Sequence, residues 1–569
     1  MRRILLILPL NETYDVLVKK HAISNTSPNV FARNVSIYCM YPNGLLSIGS
    51  YLTANCSEVK VRILDLNVVF DHFLTADTFD FQHSTFEQFL ERAFDFVKDF
   101  EPDIVGVSIL FVNLYGDLKS FAAYLETRFP RSVSVCGGHT PSALYRRFFQ
   151  DGIKFDAISF GEGEIPLLDL VRFLSERRTE KEIAEWFLDH PSWITAKKLE
   201  SQPAFQPENR CLENLDSIPP FDLNLLVFPD DYFSAPCPCG RILAIDEVAK
   251  GKKIYLFTTR GCPHRCVFCA SHVVHGRRVR SYSVERVKRD IDYYHDRYGI
   301  THFIFLDDLF LADKARATEI LNYVTEKGFA VNVPNPSFYS LDREMIETLK
   351  NAGMREILIS LESANEDTFK RIIHKPSTPA RAAQAIAHLH EAGFLVILNI
   401  LIGFPGETMA AIDLCCENLK KLKRSWVRFF TVTPLPGSEL YSICEAKGFF
   451  AASSDPLLEM DYQRCVIRTP DFSPAEIDKK CYEMNLDVNF VNHFEFSEGN
   501  DAVALMFFER VIGITATDHA FAYYYAAICC RRLGKNEKYE EYKNRFNAIV
   551  SESAVWADYA KRFRLLPLE

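Results

Sequence analysis

Short apolar runs alternate with amphipathic stretches along the N-terminal third of the chain. Runs at 3–8 (Arg-Ile-Leu-Leu-Ile-Leu), 60–66, 103–110, 132–136 and 155–160 are strand-sized and nearly continuous, as strands buried on both faces are. Helical patterns at 44–55, 85–100, 117–129 and 164–175 fill the gaps. Strands spaced by helices predict a doubly wound parallel sheet. Periodicity fades over 178–235, where Pro203, Pro207, Pro219, Pro220 and Pro229 punctuate the chain, followed by Pro236. That texture reads as an interdomain connection wrapping the surface. Strand-helix units resume at Lys253-Ile-Tyr-Leu-Phe-Thr-Thr259 and continue to about residue 445. Thereafter the pattern is helical, at 474–492, 501–511, 518–533 and 536–550. The last two form one helical hairpin, too few for a solenoid.

Composition narrows the class. A chain of 569 residues exceeds one ordinary domain, and 48% hydrophobic with 25% charged residues is globular. The net charge of −10 disfavours a generic nucleic-acid binder. No apolar run reaches the roughly 18 residues of a membrane span. Met1-Arg2-Arg3 before Ile4–Leu10 mimics a leader, but Asn11, Glu12 and Asp15 follow at once, so a first strand is the better reading. Sixteen cysteines are then expected to be reduced, in a cytoplasmic setting, with a subset binding metal.

That subset follows the strand at 253–259. Arg260-Gly261-Cys262-Pro263-His264-Arg265-Cys266-Val267-Phe268-Cys269 spaces three thiols C-x3-C-x2-C at a strand's carboxyl end. Iron–sulfur clusters ordinarily take four cysteines, so three leave one iron open; open coordination marks catalytic metal centres. A zinc knuckle awaiting a distant fourth ligand is the alternative. In the N-terminal sheet, ligand-binding loops belong at the strands' carboxyl ends, where Gly137-Gly138-His139-Thr140 and Gly161-Glu162-Gly163-Glu164 fall. Each loop alone could be only a tight turn. Cys237-Pro-Cys239 lacks a completing pair. Arg277, Arg278 and Arg280 could hold a carboxylate or phosphate, or form a solvated face.

The cysteine spacing, with the aromatic Phe268 before its last member, resembles the signature of the radical S-adenosylmethionine (SAM) superfamily. The resemblance implies that Cys262, Cys266 and Cys269 ligate a 4Fe-4S cluster that chelates SAM and cleaves it to a 5′-deoxyadenosyl radical. Further segments agree in order. Thr301–Asp308 stands where the family contacts the SAM amino group, with Asp307 and Asp308 in place of its glycines; Ile357–Ser363 carries Ser360 and Glu362; Asn399–Glu407 carries Asn399 and Gly403 near the adenine; and Pro434-Leu-Pro436-Gly437-Ser438 resembles the turn after the sixth strand. The N-terminal third resembles the cobalamin-binding domain preceding the radical core in one subgroup, through Gly44 in Tyr41–Leu46, Gly137, Gly138, His139 and Thr140, and Gly161, Glu162 and Gly163. The Asp-x-His-x-x-Gly loop of other cobalamin domains is absent; Pro9-Leu10-Asn11-Glu12 stands there.

The expected architecture is α/β: a Rossmann-like cobalamin-binding domain (1–177), a linker (178–245), a partial (β/α)6 TIM-type radical SAM barrel (246–448) and a C-terminal α-helical domain (449–569) capping the barrel's open end. The resemblance implies methylation of an unactivated carbon of a small-molecule, lipid or peptide substrate, with an electron donor such as flavodoxin or ferredoxin. An oxidative cyclase or ring-rearranging enzyme using the same cofactors is the alternative. Methylthio transfer is disfavoured by the lack of a further N-terminal cysteine trio and a basic tail, and a non-enzymatic cluster module would not need the SAM-contacting segments.

Overall fold

The computed structural model describes residues 1–19, 40–234, 251–451, 455–460, 464–514, 518–565 and 567–568. Cys237 and Cys239 lie outside them. The N-terminal sheet has the strands β1 (Arg2–Leu8), β2 (Val59–Asp65), β3 (Ile104–Ser108), β4 (Val133–Gly137), β5 (Ala157–Ser159) and β6 (Trp193–Ile194), in the order β2-β1-β3-β4-β5-β6. β1 to β5 are parallel, as the apolar runs predict. Along β1, alternation sends Ile4, Leu6 and Leu8 into one core and Leu5 and Ile7 into the other, so both faces are covered.

Two expectations change here. β6 pairs antiparallel with β5, so the sheet runs past residue 177 into the segment read as linker. That segment is also not a surface wrap. Leu215, Ile218 and Leu223 are fully buried, and the backbone N–H groups of Phe221 and Leu223 donate to the hydroxyls of Tyr294 (2.8 Å) and Tyr298 (3.0 Å). Its prolines and short turns hide an apolar strap that fastens the two lobes into one continuous core.

The second lobe is a partial barrel of two parallel three-stranded sheets. One orders β11 (Ala330–Asn332), β10 (Ile300–Phe305) and β7 (Lys252–Leu256); the other orders β12 (Glu356–Glu362), β13 (Leu395–Ile402) and β14 (Trp426–Thr431). A two-residue antiparallel hairpin, β8 (Thr259–Arg260) with β9 (Arg280–Ser281), closes the loop after β7.

The C-terminal helices beyond residue 486 do not cap the mouth, although the one before them, Pro474–Leu486, sets Ile477 against Gly403 at the end of β13. They dock at the opposite end, on the first residues of the strands: Trp426 stacks on Phe507 at 5.5 Å, and Arg510 pairs with Glu356 at 3.3 Å. Asn489 accepts from Val427 N–H (2.8 Å) and donates to Val427 C=O (2.6 Å), so one side chain satisfies backbone groups along β14. The physical reason is that Trp426 and Val427 present apolar surface and backbone groups there, which aromatic helices cover. The mouth is instead crossed by the described residues 449–451, 455–460 and 464–468. This segment pairs Ala451 N–H with Val466 C=O (2.9 Å), buries Leu457 and Met460 in the N-terminal lobe's outer core, and salt-bridges Asp455 to Arg147.

Candidate functional site

The three cysteines sit in a loop shaped by its own backbone. Gly261 has φ +86°, and a Cβ there would lie 2.2 Å from the Arg278 carbonyl oxygen, so only glycine permits the turn into Cys262. Cys269 N–H donates to Cys266 C=O (3.0 Å), and Arg277 Nη1 donates to the His264 carbonyl (2.6 Å). Val267 N–H reaches Ile373 C=O (3.1 Å), while its carbonyl accepts from Leu440 N–H (2.8 Å). Phe268 leans on Phe404, ring centres 6.3 Å apart. The thiols lie within electrostatic reach of one another, and burial pushes Cys266 up to about 12 and raises Cys262. Among the described residues no His, Cys, Asp and Glu group closes on a single-ion site, and the described cysteines are all free thiols.

Around the thiols stand residues the sequence did not single out. Tyr339 and Lys375 both lie within electrostatic reach of Cys266; the Tyr339 hydroxyl contacts His264 Nε2 at 2.5 Å. Lys375 donates to Glu362 (3.0 Å) and to the Ser360 carbonyl. Glu362 is buried at the end of β12 with φ +69°, a conformation a non-glycine residue adopts only under constraint, and the strand register shifts beside it. Ser360 and Asn399 are register partners on β12 and β13; Asn399 Nδ2 donates to Ser360 Oγ (3.2 Å), leaving Asn399 Oδ1 buried without a partner. Gly403 has φ +90°, and its N–H donates to Glu407 (2.9 Å). Burial pushes the Glu407 carboxyl up to about 7. Pro434 is buried in the turn after β14.

The aspartate pair divides. Asp307 is buried and accepts from Thr258 Oγ1 (2.9 Å), with burial pushing it up to about 6. Asp308 is exposed, within electrostatic reach of Cys262 and His275.

The N-terminal loops also divide. A Cβ at Gly44 would meet nothing within 4 Å, so the start of its helix is open. Gly137 lies against Ser159, and Gly138 (φ +97°) brings the backbone against Ile109, where a Cβ would lie 2.8 Å from a carbonyl oxygen. His139 is held by the Leu110 carbonyl, and its Nε2 is buried with no partner; Thr140 is fully buried, its hydroxyl donating to the same carbonyl (3.1 Å). Leu110 and Phe111 are exposed beside them. By contrast Gly161, Glu162 and Gly163 are committed to protein contacts. A Cβ at Gly161 would strike Asn209, one at Gly163 would strike Ile48, and Glu162 is ion-paired to Arg260, Arg280 and His275. Arg280 is thus neither anion site nor solvated face, whereas Arg278 is exposed and pairs with Glu213.

The two lobes meet at these ends. Gly437, after β14, lies against Ala143 of the first lobe and Val273 of the cysteine loop. The radical SAM superfamily model matches residues 256–419, and the B12 binding domain model matches residues 31–171. The chain is a cobalamin-dependent radical SAM enzyme. Its cofactors are a 4Fe-4S cluster, SAM and cobalamin.

The enzyme is 26% identical to an uncharacterized methyltransferase of Pyrococcus horikoshii, over 67% of this chain and 78% of that one. It is 25% identical to cytidylyl-2-hydroxyethylphosphonate methyltransferase of Streptomyces wedmorensis, over 83% and 90%. Its identity to the anaerobic magnesium-protoporphyrin IX monomethyl ester cyclase of Cereibacter sphaeroides is 23%, over 72% and 61%. The fold resembles the radical SAM methyltransferase TsrM of Kitasatospora setae (TM-score 0.55, 16% identity, 96% of this chain and 100% of that one). It also resembles the cobalamin-dependent radical enzyme OxsB (TM-score 0.60, 15% identity, 100% and 82%).

The residues present fit these groups. Three adjacent thiols are a soft donor set for iron. The unpartnered His139 Nε2, the open face at Gly44 and the exposed Leu110 and Phe111 offer one polar acceptor and apolar surface to a macrocycle. Among the described residues no helix is long and apolar enough to cross a membrane.

Proposed function

We propose that the enzyme methylates an unactivated carbon of an organic substrate held between the two lobes. The observation that carries this reading is the apposition just described: the cysteine loop faces the strand ends of the B12-binding lobe across Val273, Ala143 and Gly437. Bound there, the cluster and SAM supply a 5′-deoxyadenosyl radical, and cobalamin serves as methyl carrier.

The chain's own residues then divide the work. Cys262, Cys266 and Cys269 would hold the cluster as thiolates; burial raises Cys262 and Cys266, so those two protons leave only as iron binds. Exposed Asp308 accepts the SAM ammonium, while Asp307 ties β10 to Thr258 behind it. Ser360, Glu362 and Asn399 offer acceptors to the ribose, while Glu407 holds the Gly403 turn, whose open side is filled by Ile477 and Cys465. His139 Nε2 would accept from a corrin amide, Gly138 brings the loop backbone against Ile109, and Gly44 leaves the start of its helix open. Phe450, Leu457, Met460 and Val466, packed on the N-terminal lobe, help to exclude water from the mouth.

The names of the relatives suggest acceptors to try: a nucleotide-linked phosphonate, a tetrapyrrole and a hopanoid. The cyclase relative supports a second reading, oxidative cyclisation without methyl transfer. The test uses anaerobically reconstituted enzyme with SAM and titanium(III) citrate, with and without hydroxocobalamin. S-adenosylhomocysteine is expected only when cobalamin is present, and 5′-deoxyadenosine is expected to vanish when Cys262, Cys266 and Cys269 are all replaced by alanine. Cobalamin-dependent 5′-deoxyadenosine formation with no S-adenosylhomocysteine would favour the cyclase.

A further inference from the structure

The loop that carries the three cysteines is closed at its base by the β8–β9 hairpin, where Arg260 and Arg280 are register partners. Both arginines end on carboxylates of the other lobe. Arg280 donates to both oxygens of Glu162, at 2.6 and 3.0 Å, and Arg260 lies 3.2 Å from Glu162 and 2.8 Å from Glu164. Glu164 also accepts from Ser47 (2.5 Å), on the helix that starts at Asn43. Further out, His275 Nδ1 meets Glu162 at 2.8 Å, and Asn209 accepts from Glu162 N–H (3.2 Å) while donating to the Val274 carbonyl (2.6 Å). One turn after β5 therefore grips the cysteine loop at its base and again near its far end.

The hub is almost dry: the Glu162 side chain is 2% exposed and that of Arg280 3%. Burial alone would raise the Glu162 carboxyl, but hydrogen bonds from His275 and Arg280, with the Arg260 charge, hold it down at about 2. Buried ion pairs of this kind add little net stability compared with apolar packing, because desolvation offsets their attraction. The lobes already share an extensive apolar core that would hold them together. What the hub adds is a fixed geometry at one place, the base of the loop whose cysteines must meet the cofactor of the other lobe.

We propose that the Gly161–Glu164 turn is a latch that sets the position of the cysteine loop against the B12-binding lobe, with Glu162 and Arg280 as positioning residues. Glu162 then acts on the chemistry from a distance, through the loop. The inference rests on the proposed cluster and cobalamin sites, and wild-type enzyme tests those separately by its iron, sulfide and corrinoid content.

The experiment is pulsed EPR of the holoenzyme, reading the distance between cob(II)alamin and the reduced cluster, together with 5′-deoxyadenosine formation from SAM. Glu162→Gln is expected to keep iron and corrinoid within about twofold of wild type. Its cobalt-to-cluster distance distribution is expected to broaden or shift, and its 5′-deoxyadenosine rate to fall at least about tenfold, since small misplacements are costly. His275→Asn, at the partly exposed rim, removes one tie and should show the same change in smaller measure. A folded, loaded variant with the wild-type distance distribution and rate would overturn the latch while leaving the cofactor sites standing. So would failure of both variants to fold with cobalamin bound, which would mark the hub as structural only.

Discussion

Glu407 is a carboxyl group taken almost wholly out of water to hold two backbone N–H groups of the Gly403-Phe404 turn. Its folded pKa of about 7 exceeds the ordinary 4.5, so the folded state binds this proton more tightly than the unfolded one. Stability from this group is therefore full below 4.5 and is lost as pH rises through about 7, by a total on the order of 3 kcal/mol at about 1.4 kcal/mol per unit. Glu407→Gln keeps an acceptor and removes the titration; thermal melts should show a flatter pH dependence than wild type across that window. An unchanged slope would contradict the assignment. His139 belongs to the same scale. Its Nδ1 side is engaged by the Leu110 carbonyl, so the buried Nε2 is left as an acceptor lone pair. Losing one such hydrogen bond costs about 1 kcal/mol, so His139→Ala should weaken hydroxocobalamin retention roughly five- to tenfold in a desalting titration, and wild-type retention would refute the contact. That the three cysteines share one loop was legible in sequence because their spacing is local. Glu162 was not, because its partner Arg280 lies 118 positions away and a Gly-Glu-Gly turn looks the same whether it faces a ligand or another lobe.

At the scale of elements, the apolar runs located every parallel strand of the first sheet, since burial on both faces leaves a continuous hydrophobic signature. The two-residue strand β6 carries no such signature and went unread. The C-terminal helices were read correctly as helices, but those beyond residue 486 were placed at the wrong end, because amphipathicity states that a face is covered and not by what. Trp426 decides their position. It begins β14 and stacks on Phe507, with Phe490 edge-on at 5.6 Å. Trp426→Ala should cost about 3–5 kcal/mol in unfolding free energy. The rate of SAM cleavage per folded, cluster-loaded molecule should stay at the wild-type value, since the tryptophan sits at the strand ends far from the cysteine loop. A selective loss of turnover in a stable, loaded variant would return the helices to the mouth.

For the molecule as a whole, the shared core, the buried strap at Leu215–Leu223 and the Glu162 hub join two lobes so that the cysteine loop meets the B12-binding lobe. Each lobe alone would offer its ligand to solvent; joined, they bring the cysteine loop and the B12-binding lobe together at Gly437, Ala143 and Val273. Domain order was legible because each lobe has its own periodicity, but the facing arrangement depends on contacts between distant segments. The measurement that bears most directly on methyl transfer is anaerobic turnover with SAM deuterated in its methyl group, against the panel of acceptors, read by mass spectrometry. The expected result is an acceptor carrying the labelled methyl on carbon, formed together with S-adenosylhomocysteine and 5′-deoxyadenosine. An acceptor consumed with 5′-deoxyadenosine release and no label in its product would contradict it.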